Sequence, residues 1–187
     1  TLKMNTNKKD LPLDQFIEFA LYDKVNGYYM KKNPFGKEGD FITAPKITRL
    51  FSEIIAIWVL TFWKSIGSPK KFNLLEFGAG NGEMMKVIIE TLKNFPECFV
   101  YCNFQIHEKS ELLRKKQQLN LKSEKITWIN DIKISNSFPT IFLANEFFDA
   151  LPIKQFFKKK EGWFEKFVDL KDKKKAEFKE KPIDIKN

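Results

Sequence analysis

The sequence predicts an α/β fold: a parallel sheet with helices packed on it, preceded by a helical N-terminal part. Three observations carry this. The apolar run Phe72, Leu74, Leu75 and Phe77 stops at Gly78, glycines recur at Gly80 and Gly82, and Met84, Met85, Val87, Ile88, Ile89 and Leu92 follow at helical spacing. That is strand, glycine turn, helix. Further short apolar runs at Tyr101–His107, Ile126–Ile129 and Thr140–Ala144 alternate with helical patterns, which implies right-handed crossovers between parallel strands. Each run also ends in an acid or amide, at Glu76 beside Gly78, Glu108, Asn130-Asp131 and Asn145-Glu146. Ligands of such sheets sit beyond the carboxyl ends of the strands, so this recurrence points to one site.

Composition bounds the reading. The 187 residues, 43% hydrophobic, suffice for one core of ordinary size. No apolar run has membrane-spanning length, and no signal-peptide pattern opens the sequence. Cys98 and Cys102 match no zinc spacing and His107 is the lone histidine, so neither a metal site nor a disulfide scaffold is expected; a reducing compartment is. The net charge of +9 invites a nucleic-acid partner, but Arg49 and Arg114 are the only arginines. Phosphate and base recognition favours the planar guanidinium fork, so the lysines read as solvated surface instead.

Taken in order, residues 1–10 are polar and expected to fray. Pro12 suits a first helical turn, and Leu13, Phe16, Ile17, Ala20 and Leu21 form one apolar face before Asn26-Gly27 turns the chain. Residues 33–45 are rich in turn formers, and a loop of that length between helices is expected to be functional. A long helix is predicted from Lys46 to Ile66, its stripe Leu50, Ile54, Ile57, Trp58 and Thr61 widened by Phe51, Ile55 and Phe62 and so largely buried. Gly67-Ser68-Pro69-Lys70 breaks it. Ser110 can cap a later helix whose inner face is Leu112, Leu113 and Leu119. Ile153–Phe157 and Trp163–Val168 read as a hairpin, and Lys171–Lys175 as a solvated charge run. The expected division is a helical extension and loop over 1–70, a ligand-binding α/β part over 71–152, and a hairpin with a basic tail over 153–187, the last beginning a substrate-side insertion.

A dinucleotide fingerprint needs its third glycine three residues after the second, whereas Gly82 follows Gly80 by two. Alternating glycines after a strand that carries Glu76 resemble motif I of class I S-adenosylmethionine (SAM) methyltransferases. In that motif the loop wraps the methionine part of the cofactor, which implicates Glu76, Gly78, Ala79, Gly80 and Gly82; a tight turn without a ligand is the bland alternative. Glu108 can accept from both hydroxyls of a ribose, because a carboxylate is acceptor-only and has two oxygens, although an exposed strand-end acid would look the same. Asp131 could take the exocyclic amine of adenine. Asn145 and Phe148 echo the Asn-x-x-aromatic arrangement of amine methyltransferases, in which the amide carbonyl orients a planar nitrogen. Glu146 and Asp149 add carboxylates suited to a guanidinium, or they serve only a helix dipole.

Longer motifs extend this likeness: Gly27-Tyr28-Tyr29, Pro34-Phe35-Gly36, Gly39-Asp40-Phe41-Ile42-Thr43-Ala44-Pro45, Phe51-Ser52-Glu53, Glu76 through Gly82, Glu108-Lys109-Ser110, Leu113-Arg114 with Gln117, and Asn145 through Pro152. On these residues the chain resembles the MidA-like group of SAM-dependent methyltransferases, from about Leu11 to Val168. The resemblance implies a Rossmann-like class I sheet whose strands, numbered from Phe72, stand in the order 3-2-1-4. It adds Asp40 and Thr43 to the cofactor-binding set. It implies SAM as cofactor and arginine N-methylation of a respiratory NADH dehydrogenase (complex I) subunit or its bacterial relative. The bacterial cytoplasm or the mitochondrial matrix is the expected location. The group has glycine where Ser52 stands and an aspartate near Val87. Its members continue into a fifth strand and beyond, so strand 4 is expected to be a bare edge here, to be covered by a completing chain or a second copy. A nucleic-acid amine methyltransferase and a non-catalytic assembly module are the rival readings.

Overall fold

A computed structural model describes residues 10–31, 48–122, 124–131, 138–172 and 175–184. The Gly-Asp-Phe-x-Thr-Ala-Pro block, with Asp40 and Thr43, lies outside them. The chain divides into two compact units, one made of Thr1–Lys31 with Asp149–Asn187, the other of Lys32–Phe148.

The Lys32–Phe148 unit holds the parallel sheet. Its strands are β2 (Phe72–Phe77), β3 (Cys102–His107), β4 (Ile126–Ile129) and β5 (Thr140–Leu143), in the order β4-β3-β2-β5, all parallel. This is the expected order, and among the described residues β5 has a partner on one side only. The helices are α3 (Arg49–Ser65), α4 (Glu83–Leu92), the single turn α5 (Pro96–Phe99) and α6 (Glu111–Asn120). Alternation sorts the faces of β2. Phe72 and Leu74 point into a core shared with Ile88, Ile89 and Leu92 of α4 and with Val59, Leu60 and Trp63 of α3. On the opposite face Phe77 stacks on Phe142 of β5 with ring centroids 5.8 Å apart.

The orientation of α3 overturns a sequence expectation. Of the stripe expected to be buried, Phe51 and Ile55 pack against the core, but Leu50 and Ile54 are each 58% exposed, Trp58 48% and Phe62 41%. The buried positions are Ser52, Ala56, Val59, Leu60 and Trp63. A helix that is apolar around most of its circumference has no unique inward face by periodicity. The face that turns inward carries the small residues Ser52 and Ala56, which let α3 approach α4 closely. Thr48 caps the first turn, its hydroxyl accepting from the Leu50 N–H at 3.2 Å, and the Trp63 indole N–H reaches the Pro69 carbonyl at 3.0 Å where the chain leaves the helix. The inner face of α6 also differs in part: Leu113 and Gln117 are buried, and Leu119 is exposed.

The other unit is an antiparallel sheet built from both ends of the chain. Its strands are β1 (Asp10–Pro12), β6 (Phe156–Lys159), β7 (Gly162–Asp172) and β8 (Lys175–Ile183), beside α1 (Leu13–Tyr22) and α2 (Tyr28–Lys31). The hairpin is present, with β6 pairing the start of β7 across the Lys160-Glu161 turn. Two partners of β7 were not legible. β1 pairs at Leu11↔Val168, with both residues buried, and β8 pairs along most of its length. Lysines of the tail serve as cross-strand partners, Lys179 to Asp169 and Lys181 to Asp10, although pairs this exposed contribute little stability.

The placement of α3 yields a paired test. Ala56→Leu, at a position with no exposure, should overpack the α3–α4 contact and cost about 1–3 kcal/mol, whereas Ile57→Gln on the exposed stripe should stay within about 0.5 kcal/mol of the parent. Urea denaturation of the two variants distinguishes the faces; equal losses would refute the assignment.

Candidate functional site at the carboxyl ends of the parallel strands

Parallel pairing aligns Phe77, His107 and Ile129 and sets Glu76 opposite Leu143, so the segments after β2, β3, β4 and β5 leave the sheet at one edge. The first of these is the glycine corner. Gly78, Gly80 and Gly82 all have positive φ, at 61°, 55° and 83°, a region closed to most side chains. Space is equally restrictive. A Cβ on Gly78 would lie 2.7 Å from Cδ2 of Phe147, and one on Gly82 would lie 2.8 Å from Cδ1 of Leu121. Two of the three glycines therefore make room for the protein's own side chains. Gly82 is also the N-cap of α4, whose first N–H groups face the same edge.

Glu108 follows β3 and is 9% exposed. One oxygen, Oε1, accepts from the Ser110 N–H at 2.9 Å, and the other, Oε2, accepts from Nε2 of Gln117 at 3.0 Å. A carboxylate has about four acceptor sites, so these bonds and that of the Lys109 amide still leave it acceptor capacity. Burial pushes the Glu108 carboxyl above its ordinary range, opposed by the Ser110 and Lys109 amides, Gln117 and Arg114. Glu76, 3% exposed on β2, is pushed further, to about 8, first by burial and then by the charge of Glu108; the Met85 amide opposes this. Its Oε2 has no partner among the described residues. Near neutral pH Glu76 is therefore largely protonated, while the donors on Glu108 and the Arg114 charge oppose the rise of its carboxyl.

Around this pair the loops are tied to each other. Nε2 of Gln117 also donates to the Gly80 carbonyl at 2.9 Å, and its Oε1 accepts from the Trp128 indole at 2.9 Å. Arg114 donates to the Glu108 carbonyl at 3.2 Å and to Oδ1 of Asn130 at 2.7 Å, joining the ends of β3 and β4. Gln117 thus joins Gly80 to Glu108, and Glu76 lies close enough to Glu108 to feel its charge. Asp131 stands exposed past β4. After β5, Asn145 is half-buried, and Glu146 is exposed with φ at 49°, uncommon for a residue with a side chain. Phe147 stacks on Phe77 at 5.4 Å. Asp149 is exposed in a single 3-10 turn, Phe148–Ala150, at the start of the other unit's C-terminal segment. Reading the sequence for chemistry passed over Gln117, which entered only as part of a motif. Its signal was spacing, since a polar residue stands between Leu113 and Leu121 at four-residue intervals on the inner face of a helix.

These residues fit an adenosyl amino-acid ligand in kind. They offer a carboxyl held at both oxygens with acceptor capacity left, a buried carboxyl oxygen lacking a partner among the described residues, and a helix start beside a glycine-rich corner. Comparison with known proteins agrees. Residues 54–187 match a family described as putative S-adenosyl-L-methionine-dependent methyltransferases. The chain is 30% identical over 180 residues to the human protein arginine methyltransferase NDUFAF7, mitochondrial, covering 83% of this chain and 41% of that protein. The Xenopus laevis protein of the same name is 28% identical over 187 residues, covering 87% of this chain and 43% of that protein. The chain thus spans less than half the length of these relatives. Among solved structures, it resembles a likely methyl transferase of the COG1565 superfamily from Burkholderia thailandensis, bound to S-adenosyl-homocysteine. The TM-score is 0.77 at 26% identity, covering 94% of this chain and 46% of that one.

The Glu76 carboxyl makes stability depend on pH with a defined sign. Its folded-state pKa lies above the unfolded value, so the folded protein holds more protons between about 4.5 and 8, and stability falls as pH rises through that window. Glu76→Gln should flatten this slope and raise the melting temperature at pH 8 by at least about 2–4 °C, the equivalent of about 1 kcal/mol. Thermal scans of both proteins from pH 5 to 8 read this directly; parallel curves would show that Glu76 is ionised in the folded state.

Proposed function

Because the chain belongs to the family of S-adenosyl-L-methionine-dependent methyltransferases, we propose that its strand-end site binds S-adenosyl-L-methionine and serves methyl transfer to a protein arginine. The observation that carries the binding part is the Glu108 carboxylate, buried and clamped on both oxygens beside the glycine corner. The acceptor capacity that remains suits the hydroxyls of a ribose. Gly78, Ala79, Gly80 and Gly82, with the start of α4, form the wall for the amino-acid part, and Asp131 is placed for the adenine amine. Asp40 and Thr43 join this set by motif.

The arginine part rests on the named relatives and on the segment after β5. When bound, the cofactor supplies an electrophilic methyl group on a sulfonium; the chain's own residues must present a nitrogen to it in line. Fully deprotonating a guanidinium near neutral pH would cost about 7–9 kcal/mol, more than a carboxylate base can supply. Glu146 and Asp149 therefore orient the guanidinium and stabilise its charge while Asn145 fixes the plane of the attacking nitrogen, and the proton leaves late. Positioning of this kind can contribute about 7–11 kcal/mol. The substrate class is an arginine on a respiratory NADH dehydrogenase subunit or its bacterial relative. This places the reaction in the mitochondrial matrix of a eukaryote or the cytoplasm of a bacterium. No helix among the described residues is long and apolar enough to cross a membrane.

Titration with S-adenosylhomocysteine tests the binding site. Gly80→Val puts a branched side chain at φ 55° in the corner and should abolish binding. Glu108→Gln removes a charged acceptor worth about 1.5–3 kcal/mol, so affinity should fall by roughly one to two decades. Unchanged affinity in both variants would move the site elsewhere. The transfer step is read by mass spectrometry of an arginine-containing NADH dehydrogenase subunit incubated with the protein and cofactor. Methylation at lysine instead would refute the arginine assignment.

A further inference from the structure

We propose that Gln117 is a positioning residue for cofactor binding: one buried amide holds the Gly80 carbonyl and the Glu108 carboxylate in fixed relation, and this relation sets affinity for the adenosyl ligand. The inference rests on the reading of Glu108 as the ribose acceptor.

Three bonds carry it. A primary amide has two N–H groups on one nitrogen and one carbonyl oxygen. In Gln117, which has no exposure, both N–H groups are used, one on the Gly80 carbonyl at 2.9 Å and one on Oε2 of Glu108 at 3.0 Å. The oxygen is used too, accepting from the Trp128 indole at 2.9 Å. The neighbours also decide which end of the amide is which. Two acceptors face the nitrogen and a donor-only indole faces the oxygen, so a flipped amide would leave all three bonds unmade.

The consequence is geometric. Gly80 belongs to the corner after β2, Glu108 to the tip of β3 and Trp128 to β4, so one side chain of α6 joins three neighbouring strand ends. Both acceptors lie within hydrogen-bond distance of one nitrogen, which limits how far the wall for the amino-acid part and the acid for the ribose can part. Ser110 holds the other oxygen of Glu108, so the carboxylate is fixed at both oxygens. Without Gln117, Oε2 and the Gly80 carbonyl each lose the amide N–H that they accept from. The loops would then have to be ordered by the ligand, at a cost in affinity. A bond to the charged form also favours it, so removing Gln117 raises the pH at which Glu108 protonates and stops accepting from both hydroxyls. The other groups facing Glu108 are the Glu76 carboxyl on β2 and the Arg114 guanidinium on α6.

The experiment is calorimetric titration with S-adenosylhomocysteine across pH 5–9, using the parent, Gln117→Met, Trp128→Phe, Glu108→Gln and the Glu108→Gln/Gln117→Met pair. Gln117→Met keeps length and apolar packing and removes every polar contact. It should weaken binding at pH 7 by about 10–100-fold, with the acid limb of the profile moved to higher pH. Repeating the profile in a Glu76→Gln background assigns that limb to Glu108. Trp128→Phe keeps an aromatic ring and removes the indole N–H; it covers the case in which Gln117→Met does not fold. It should weaken binding by about 2–5-fold in the same direction. If Gln117 acts through Glu108, the double variant should lose no more than about twofold beyond Glu108→Gln alone. Parent-like affinity and an unmoved acid limb in Gln117→Met and Trp128→Phe would overturn the proposal, as would losses that simply add in the double variant. Parent-like binding by Glu108→Gln would instead remove the ribose reading, and this proposal with it.

Discussion

The contact between α6 and the glycine corner is the constraint on which the rest of the site depends. A chain that leaves β2 and enters α4 within five residues must bend through left-handed backbone, and here it does so at Gly78, Gly80 and Gly82. Such a corner has few backbone bonds of its own and would be poorly ordered alone. Side chains from elsewhere complete it. Leu121, just past α6, fills the space beside Gly82, Phe147 fills that beside Gly78, and Gln117 takes the carbonyl of Gly80. Absent side chains on one segment are matched by present ones on two others, and a single added methyl group at either outer glycine breaks the match.

That closure also creates the electrostatic asymmetry. Once α6 lies against the corner, Glu76 and Glu108 are both withdrawn from water, and two buried carboxylates cannot both keep their charge. Hydrogen bonds decide between them. Glu108 receives donors from Ser110 and Gln117, whereas one oxygen of Glu76 receives none. The asymmetry is thus a product of packing: the donors gather on Glu108 at the strand edge, and Glu76 behind it is the acid pushed to about 8.

Much of the parallel unit was legible in the sequence. The Phe72–Phe77 run, the interrupted glycines and the acid at each strand end are local patterns, and parallel strands alternating with helices leave few topologies open. What was not legible depended on tertiary choice. The α3 segment has apolar residues on nearly every side, so periodicity could not say which side meets α4; small residues at Ser52 and Ala56 decided it. β1 and β8 were hidden for a different reason. Asp10–Pro12 is too short to show a period, and Lys175–Ile183 follows the charge run Lys171–Lys175 and alternates charge with few apolar residues. Both become strands because β7 offers them a ladder, which no local window reveals. Gln117 looked like an ordinary helix residue, since its role exists only when Gly80, Glu108 and Trp128 are brought around it.

The antiparallel sheet draws its strands from both ends of the chain, with Leu11 paired to Val168, 157 positions further on, while every strand of the parallel sheet lies between them in sequence. Order of synthesis follows from this. On the ribosome the β2–β5 segment emerges complete while β1 still waits for β7. Closing so long a connection is entropically cheapest once the intervening segment is already compact. Prior collapse of the parallel unit would shorten the connection that β1 and β7 have to close and so favour the antiparallel sheet.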